Sequence, residues 1–299
     1  MGKFLNSRER FCETLLFGKP DRVPFNPGGP RESTLSAWHR QGLPEGDDHY
    51  EALLDILGMK REEALPQKPV VNLGVDFRMI PRFEEKVLEH KDGHYIVQDW
   101  MGAITEISDK YDYTYIRSAK DFVTRKWHRF PVETHEDWDK KMKWRYDPNS
   151  PSRYPEDFES RCELLKDRDY PIGFNVNGPF WQLRESCGLK NLCMLMIEDP
   201  EWVKEMVSFW TDFVSRVMAP ILDKVEVDCV VICEDMAYKD HSMISPEMAR
   251  GFLFPTYRRW VKDLRESDCP IVSMDSDGYI NELIPIWIEA GINCCEPME

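Results

Sequence analysis

The feature that most constrains this fold is a regular alternation of apolar strands and helical patterns after Pro155. The strand candidates in this half lie near residues 171–175, 228–233, 270–274 and 292–295. Strands that are apolar on both faces are typical of a parallel sheet covered by helices, because both of their faces are buried. The pattern therefore predicts an α/β fold, built either as a barrel or as a doubly wound sheet.

Two further observations bear on the choice between a barrel and a doubly wound sheet. No strand candidate runs into a G-x-G-x-x-G or P-loop sequence, so the commonest nucleotide-binding sheets are excluded. Additional strands near 22–26 and 69–73 raise the count to six, against the eight that a closed barrel needs. These observations leave a doubly wound sheet open. If the sheet is a barrel, we expect a (β/α)8 TIM barrel that is C-terminally incomplete, with about six of eight βα units in a single domain over residues 1–299.

The helical patterns and one β-rich insertion complete the predicted organisation. Helices are expected from Ser7 to Gly18 and over residues 32–41, 48–57, 156–166, 180–186, 189–197, 200–225, 246–266 and 280–290. Between residues 84 and 108, β-rich runs flank Asp92-Gly93, and Asp-Gly between such runs is a strong hairpin signal. We expect an antiparallel β meander inserted there.

Composition excludes several classes of protein. The net charge is −15 and no Lys/Arg block occurs, which is a poor electrostatic footprint for nucleic acid. No apolar run approaches the roughly 20 residues that span a bilayer, and the N-terminus lacks an apolar leader, so we expect a cytoplasmic protein without membrane contact. The nine cysteines are odd in number and contain no C-x-x-C pair, which favours reduced thiols.

Polar residues follow the predicted strands at the ends where a barrel places its active site. They are Asn175 and Asn177 after the third strand, Glu234 and Tyr238 after the fourth, Asp275 and Asp277 after the fifth, and Glu296 after the sixth. Three successive strand ends therefore direct carboxylates toward one mouth. We expect Asn175, Asn177, Tyr238 and Glu296 to bind substrate there.

The acids Glu234, Asp275 and Asp277 are the predicted catalytic residues, and they are also the predicted ligands of a metal. Like charges gathered in a cleft raise each other's pKa or require a cation. Carboxylates suit a hard divalent metal or zinc, one protonated carboxyl can serve as a general acid, and a cationic substrate is a third solution. Each acid alone could also cap a helix, above all Asp277 before the helix expected near residue 280.

Several sequence blocks carry a family resemblance. They are Asn-Ser-Arg-Glu-Arg at 6–10, Lys-Pro-Asp-Arg-Val-Pro at 19–24, Met-Ile-Ser-Pro-Glu at 243–247, Val-Ser-Met-Asp-Ser-Asp-Gly at 272–278 and Ala-Gly-Ile-Asn at 290–293. Together they resemble the uroporphyrinogen decarboxylase superfamily, whose members share a (β/α)8 barrel, and the resemblance implies that fold for this chain. The resemblance implies either a haem-pathway decarboxylase or a zinc-dependent methyltransferase that moves methyl groups between corrinoid proteins and other acceptors.

The chain departs from both branches of that superfamily. The decarboxylases carry Arg-Gln-Ala-Gly-Arg-Tyr after the first strand, whereas residues 26–32 here offer only Arg31 as a carboxylate clamp. The methyltransferases bind zinc through His-x-Cys-Gly, where this chain has Asp275-Ser-Asp277-Gly278. Their third zinc ligand is a cysteine near the C-terminus, which by the resemblance would lie beyond residue 299.

The leading hypothesis is corrinoid-linked methyl transfer at a carboxylate-rich barrel mouth. It implies a small-molecule substrate, a corrinoid protein as partner and a divalent metal, zinc or another, held by the three acids. The alternative is decarboxylation of a carboxylic acid or tetrapyrrole with Arg31 as clamp, although an acidic mouth repels the eight carboxylates of uroporphyrinogen. A third hypothesis is a non-catalytic barrel that binds a corrinoid or a partner.

Overall fold

The structure is a computed structural model that describes residues 4–24, 28–46, 48–59, 67–111 and 123–298. The strands in chain order are β1 (Val71–Asn72), β2 (Lys86–Lys91), β3 (His94–Gln98), β4 (Ile104–Ser108), β5 (Arg125–Arg129), β6 (Ile172–Asn177), β7 (Cys229–Cys233), β8 (Ile271–Asp275) and β9 (Cys294–Glu296). They form a five-stranded parallel sheet in the order β1-β6-β7-β8-β9 and a four-stranded antiparallel sheet in the order β2-β3-β4-β5.

Each of the nine predicted helices is present within the described residues, with different ends, and one of them is divided into two. They are α1 (Ser7–Leu15), α2 (Glu32–Arg40), α3 (His49–Leu57), α4 (Phe158–Leu165), α5 (Pro179–Cys187), α6 (Leu189–Glu198), α7 (Pro200–Lys224), α8 (Pro246–Phe252), α9 (Phe254–Glu266) and α10 (Ile284–Ala290). The single helix predicted over 246–266 is two helices, which meet at Leu253 just before Pro255. Pro285 lies in the first turn of α10, so that helix begins four residues later than predicted.

The parallel sheet is wound in one direction only. Strands β6 to β9 are added in chain order, without the reversal of strand order that defines a doubly wound sheet. The helices that connect them pack side by side, α5 on α6, α6 on α7, α7 on α9 and α9 on α10. One helix layer on one side of a sequentially ordered parallel sheet is the arrangement of a barrel wall.

The two faces of this sheet differ in character. Phe174, Ile232 and Met274 point toward the helix layer and are at most 2% exposed. On the opposite face, which we call the open face, Asn175 and Glu296 are exposed. Within the described ranges the sheet ends at β1 and β9, so the structure shows a parallel sheet and not a closed barrel.

One predicted strand fails and one predicted hairpin is confirmed. Residues 22–24 form no strand, and the rest of the strand predicted near 22–26 lies outside the described residues. The hairpin at Asp92-Gly93 joins β2 to β3 in antiparallel pairing. Both turn residues have positive φ, 51° and 76°, as a two-residue hairpin loop of type I′ requires. The antiparallel sheet also continues past the predicted boundary at residue 108 to Arg129.

The core lies between the parallel sheet and its helix layer. Helix α7 spans 25 residues and contributes twelve buried residues, among them Trp210 and Val214. None of the helices in the described part of the chain combines the length and the apolar character that a membrane crossing needs. All nine cysteines are free thiols.

Candidate functional site

A row of four polar side chains crosses the open face at the carboxyl ends of the parallel strands. Asn177 of β6 pairs in register with Cys233 of β7, Cys233 with Asp275 of β8, and Asp275 with Glu296 of β9. Residues in register on parallel strands project from the same face of the sheet. We call Asn177, Cys233, Asp275 and Glu296 the mouth row.

The environment of the mouth row favours protonated side chains. The protein removes part of the water around Glu296, although its side chain stays exposed, and this partial desolvation raises its pKa. The Asp275 carboxylate raises it further, and a weak contact from Ser273 Oγ at 3.5 Å to Glu296 Oε1 opposes the rise. Burial together with Asp275 also raises the pKa of the Cys233 thiol to about 12. Cys233 is therefore a neutral thiol at neutral pH, and Glu296 holds a proton more readily than an exposed glutamate does.

A cavity of about 550 Å³ adjoins the mouth row at the ends of β1 and β6. The amides of Asn72, Asn175 and Asn177 line it, together with Arg78. Arg78 is held by two hydrogen bonds to Asp76, 2.8 Å from Nε to Oδ1 and 3.1 Å from Nη2 to Oδ2. The cavity therefore combines amide donors and acceptors with a fixed guanidinium, and its volume suits a small molecule.

Glu234 does not face this mouth. Its side chain is 0% exposed and lies behind the sheet, at the first turn of α5. Its Oε2 accepts a hydrogen bond from the Trp181 backbone N–H at 2.9 Å, and its Oε1 accepts one from Tyr257 Oη at 2.5 Å. Burial raises the pKa of Glu234 to about 7, and these two hydrogen bonds lower it only in part. Gly178, the N-cap residue of α5, has no side chain that could accept a hydrogen bond from the first backbone N–H groups of the helix. The Glu234 carboxylate, which follows the neighbouring strand β7, takes this role by accepting from the Trp181 N–H.

The metal site predicted from Glu234, Asp275 and Asp277 is not assembled. Successive residues of a strand point to opposite faces, so the strand that directs Cys233 to the open face directs Glu234 to the helix layer. Among the residues that the structure describes, no group of three or more His, Cys, Asp or Glu side chains is placed to hold a metal ion. The donors present therefore do not fit the zinc centre that the family resemblance implies.

The loops after β7 and β8 pack against each other and carry two further predicted residues. The Tyr238 carbonyl accepts a hydrogen bond from the Tyr279 backbone N–H at 2.8 Å, and the Tyr238 side chain is 58% exposed. Between the loops, a Cβ on Gly278 would lie 2.7 Å from that carbonyl, and its φ of +87° also favours glycine. Asp277 is exposed at this junction.

The positions of Asp277 and Arg31 bear on two hypotheses from the sequence, a helix cap at Asp277 and a carboxylate clamp at Arg31. Asp277 is not a helix cap, because α10 begins at Ile284 with Leu283 at the N-cap position. Arg31 is the N-cap residue of α2, is exposed, and is not among the residues that line the cavity at the ends of β1 and β6. The guanidinium that does line this cavity belongs to Arg78, which sequence reasoning missed.

Cys233 and Ser273 were also missed, although the sequence contained a signal for them. Side chains on one face of a strand are two residues apart, so Asn175 and Asn177 share a face, as do Ser273 and Asp275. On β7 the matching position is Cys233, the residue before the predicted Glu234. Applying this period to every strand identifies the mouth row, whereas taking the first polar residue after each strand does not.

The comparisons with known proteins give a likeness among solved structures only. No protein-family model matches the sequence, and no curated protein matches it. Among solved structures, the chain is similar to a methyltransferase from Methanosarcina mazei, with 13% sequence identity and a TM-score of 0.49. This similarity covers 97% of the present chain and 75% of the methyltransferase chain.

Proposed function

We propose that this chain is an enzyme that transfers a methyl group from a small polar substrate, in a corrinoid-linked reaction, at the carboxyl ends of β6 to β9. The observation that carries the proposal is the mouth row, because it places a neutral thiol and two carboxyls on adjacent strands of the open face. The sequence blocks at 243–247, 272–278 and 290–293, which resemble the uroporphyrinogen decarboxylase superfamily, support the same kind of chemistry.

The mouth row supplies the proton that methyl transfer needs. When a methyl group leaves an oxygen, nitrogen or sulfur atom of a substrate, that atom keeps the bonding electron pair and must be protonated to leave readily. Glu296 lies in register beside Asp275, and both burial and this neighbour raise its pKa, so it suits the role of proton donor. The amides of Asn175 and Asn177 orient the substrate in the adjoining cavity.

The corrinoid, when bound on its own protein, supplies the acceptor of the methyl group. A cavity of about 550 Å³ takes a small molecule and does not enclose a macrocycle of corrinoid size. The exposed side chains of Asn175 and Glu296 on the open face give a partner-borne group access to the substrate. The proposal assigns no metal ion to this chain's own side chains.

Decarboxylation of a small carboxylic acid is the second candidate, and Arg78 favours it over other lyase chemistry. This guanidinium lines the cavity and could hold a substrate carboxylate, although Asp76 already accepts two of its hydrogen bonds. A tetrapyrrole with many carboxylates fits less well, because the Asp275 carboxylate repels it. Methyl transfer is therefore the better supported reaction, and a non-catalytic barrel is the third candidate.

The experiment compares two reactions on the same protein. Free cob(I)alamin is mixed with the full chain and a panel of small methylated amines, ethers and thioethers, and methyl transfer is followed by the change in cobalamin absorbance. Carbon dioxide release from small carboxylic acids is measured in parallel. We expect methyl transfer, and we expect Glu296→Gln to lower its rate by about 10²–10⁴-fold, the range for loss of a general acid.

The control is Glu198→Gln, which removes an exposed carboxylate at the end of α6, and its rate should equal that of the wild type. Carbon dioxide release without methyl transfer would replace the proposal with a decarboxylase. Absence of both reactions would leave the non-catalytic barrel, and unchanged methyl transfer in Glu296→Gln would remove the assigned proton donor.

A further inference from the structure

Asn175 and Asn177 share a face of β6 and line the same cavity, but their side chains are held differently. Within the described part of the chain, the Asn175 amide takes part in no hydrogen bond, so either end of it can turn toward a ligand. Asn177 donates a hydrogen bond from Nδ2 to Gln182 Oε1 at 3.3 Å. Of these two amides, therefore, Asn177 is the one with a fixed orientation.

The partner of Asn177 is itself fixed by a buried tyrosine. Gln182 of α5 donates from Nε2 to Tyr146 Oη at 2.7 Å, and both side chains are buried. Because the nitrogen of the Gln182 amide is used on Tyr146, its oxygen faces Asn177. Burial raises the pKa of Tyr146 far above its ordinary value, so the hydroxyl stays neutral. We call Tyr146, Gln182 and Asn177 the amide relay.

Both ends of the amide relay are held by one tryptophan of α7. The Tyr146 ring meets the rings of Trp210 and Phe213 edge to face, with centroids 5.3 Å apart in each pair. Trp210 also donates from Nε1 to the Asn177 backbone carbonyl at 2.8 Å. Trp210 therefore fixes the tyrosine at one end of the relay and the asparagine backbone at the other.

The amide relay determines which atom of Asn177 faces a ligand. Asn177 lies between the cavity at the ends of β1 and β6 and a second cavity of about 290 Å³, which Gln182 and Tyr146 line. Since Nδ2 is directed to Gln182 on the second cavity, Oδ1 is the end of the amide left for the first. No described residue donates a hydrogen bond to this oxygen. A carbonyl oxygen only accepts hydrogen bonds, so a ligand at this position has to supply the donor.

We propose that Gln182 and Tyr146 are positioning residues of the mouth row, which hold Asn177 so that its Oδ1 accepts a hydrogen bond from the substrate. The site then selects a substrate that carries a donor at the atom bearing the methyl group. A methylated amine has this donor once its nitrogen is protonated, and the Asp275 carboxylate favours the resulting charge. Ethers, thioethers and quaternary ammonium ions lack the donor. The inference names a feature of the substrate and rests on the proposed function.

The test compares two ligands of equal charge that differ in one N–H. Trimethylammonium has this donor, whereas tetramethylammonium has a fourth methyl group in its place. Isothermal titration calorimetry of the full chain with each ion gives the ratio of the two affinities. We expect trimethylammonium to bind at least about tenfold more tightly, because a site built to accept a hydrogen bond rejects a ligand without the donor. Equal affinity, or binding of neither ion, would overturn the proposal.

A variant of Gln182 separates the hydrogen bond from exclusion by size. Gln182→Met keeps the length of the side chain and removes both of its hydrogen bonds, so Asn177 is free to turn. The preference for trimethylammonium should then fall by about two- to tenfold, the cost of fixing one side chain on binding. An unchanged preference would overturn the proposal, because it would assign the preference to the size of the ligand.

Two further variants guard against a general loss of structure. Gln182→Glu keeps an oxygen that accepts from Asn177 Nδ2 and should retain the preference, since an added charge acts equally on both ions. Tyr146→Phe removes the acceptor that fixes Gln182 and should lower the preference as Gln182→Met does. A purely structural role would change the melting temperatures of these variants and leave the affinity ratio unchanged, which would refute positioning.

The matched control is Gln98→Met in β3. Gln98 also donates one side-chain hydrogen bond, from Nε2 to the Glu84 carbonyl at 2.9 Å, and it lines neither cavity. Its affinity ratio should equal that of the wild type. An equal fall in Gln98→Met and Gln182→Met would overturn the assignment to the amide relay.

The binding result separates this inference from the proposed function. A preference for trimethylammonium that depends on Gln182, without methyl transfer to cob(I)alamin from any substrate, would refute the reaction and keep the role of the relay. Methyl transfer from ethers or thioethers at the rate seen with amines, without the binding preference, would refute the relay and keep the reaction.

Discussion

Glu234 and Glu296 lie near the carboxyl ends of strands in the same sheet, yet they occupy opposite environments. Glu234 points into the helix layer, is 0% exposed, and is hydrogen-bonded to Tyr257 and to the backbone of α5. Glu296 points to the open face, is exposed, and lies beside Asp275. The first carboxyl stabilises the fold, whereas the second is available to a substrate.

The difference follows from where each residue falls in the two-residue period of its strand. Cys233 and Glu296 are both last residues of their strands and face the mouth, while Glu234 comes one residue later and faces away. A one-residue offset therefore separates a helix cap from a candidate proton donor. Four predictions test this division between the two regions.

The largest effect is expected on the buried side. Glu234→Ala removes the acceptor of both Tyr257 Oη and the Trp181 N–H and leaves a cavity, so we expect a loss of about 3–5 kcal/mol in the free energy of unfolding. Gly178→Ala should cost a similar amount, because its Cβ would lie 2.1 Å from Glu234 Cδ in a side chain that cannot move aside. Denaturant unfolding measures both changes.

Glu234→Gln is the control for these two variants. The amide can keep the contact to Trp181 and donate to Tyr257, so the fold and the turnover should be retained. A stable Glu234→Ala protein with no activity would reverse the comparison, since it would make Glu234 a functional residue and not a structural one.

The second prediction concerns pH. Burial raises the pKa of Glu234 from 4.5 to about 7, so the folded state binds this proton more tightly than the unfolded state does. The stabilisation from this group is complete below pH 4.5 and is lost as the pH rises through 7. The stability of the wild type relative to Glu234→Gln should therefore fall by roughly 3 kcal/mol over that interval. Urea unfolding of both proteins between pH 4.5 and 8 measures it, and parallel profiles would contradict the raised pKa.

Much of the parallel sheet could be predicted from the sequence. A short apolar run that is rich in valine and isoleucine, such as 228–233, favours a buried strand over a helix. The hairpin at Asp92-Gly93 could be predicted because its turn requires two residues that tolerate positive φ. The strand expected near residue 22 failed in its described part. Its Arg-Val-Pro sequence contains a proline, which cannot donate a ladder hydrogen bond.

The candidate site was predicted only in part. Asn175, Asn177, Asp275 and Glu296 were placed on the correct edge of the sheet by their position after apolar strands. Arg78 could not be found in this way, because it reaches the cavity from an irregular segment between β1 and β2 whose path is set by tertiary contacts. Local sequence patterns determine strands and turns, but they do not determine how such a segment folds over the mouth.

The third prediction tests the edge of the open face. Asp277 is exposed beside Tyr238, two residues beyond Asp275, and it does not cap α10. Asp277→Asn removes a charge near the mouth without disturbing the core, so we expect turnover to fall by at least about tenfold while the melting temperature stays within one or two degrees. Full turnover on the identified substrate would confine the functional carboxyls to Asp275 and Glu296.

The smallest effect is expected in the antiparallel sheet, which is separate from the parallel sheet that carries Glu234 and Glu296. Gly93 has a φ of +76°, and the nearest atom to an added Cβ is Asp109 Oδ1 at 3.9 Å, so Gly93→Ala meets backbone strain without a clash. We expect a loss of about 1 kcal/mol in the free energy of unfolding.

Gly251→Ala in helix α8 is the matched control. It has open space and an ordinary helical backbone, so it should gain about 0.5–1 kcal/mol. Neither change should alter turnover. A loss of activity in Gly93→Ala would show that the hairpin, and not only the mouth row, contributes to the reaction.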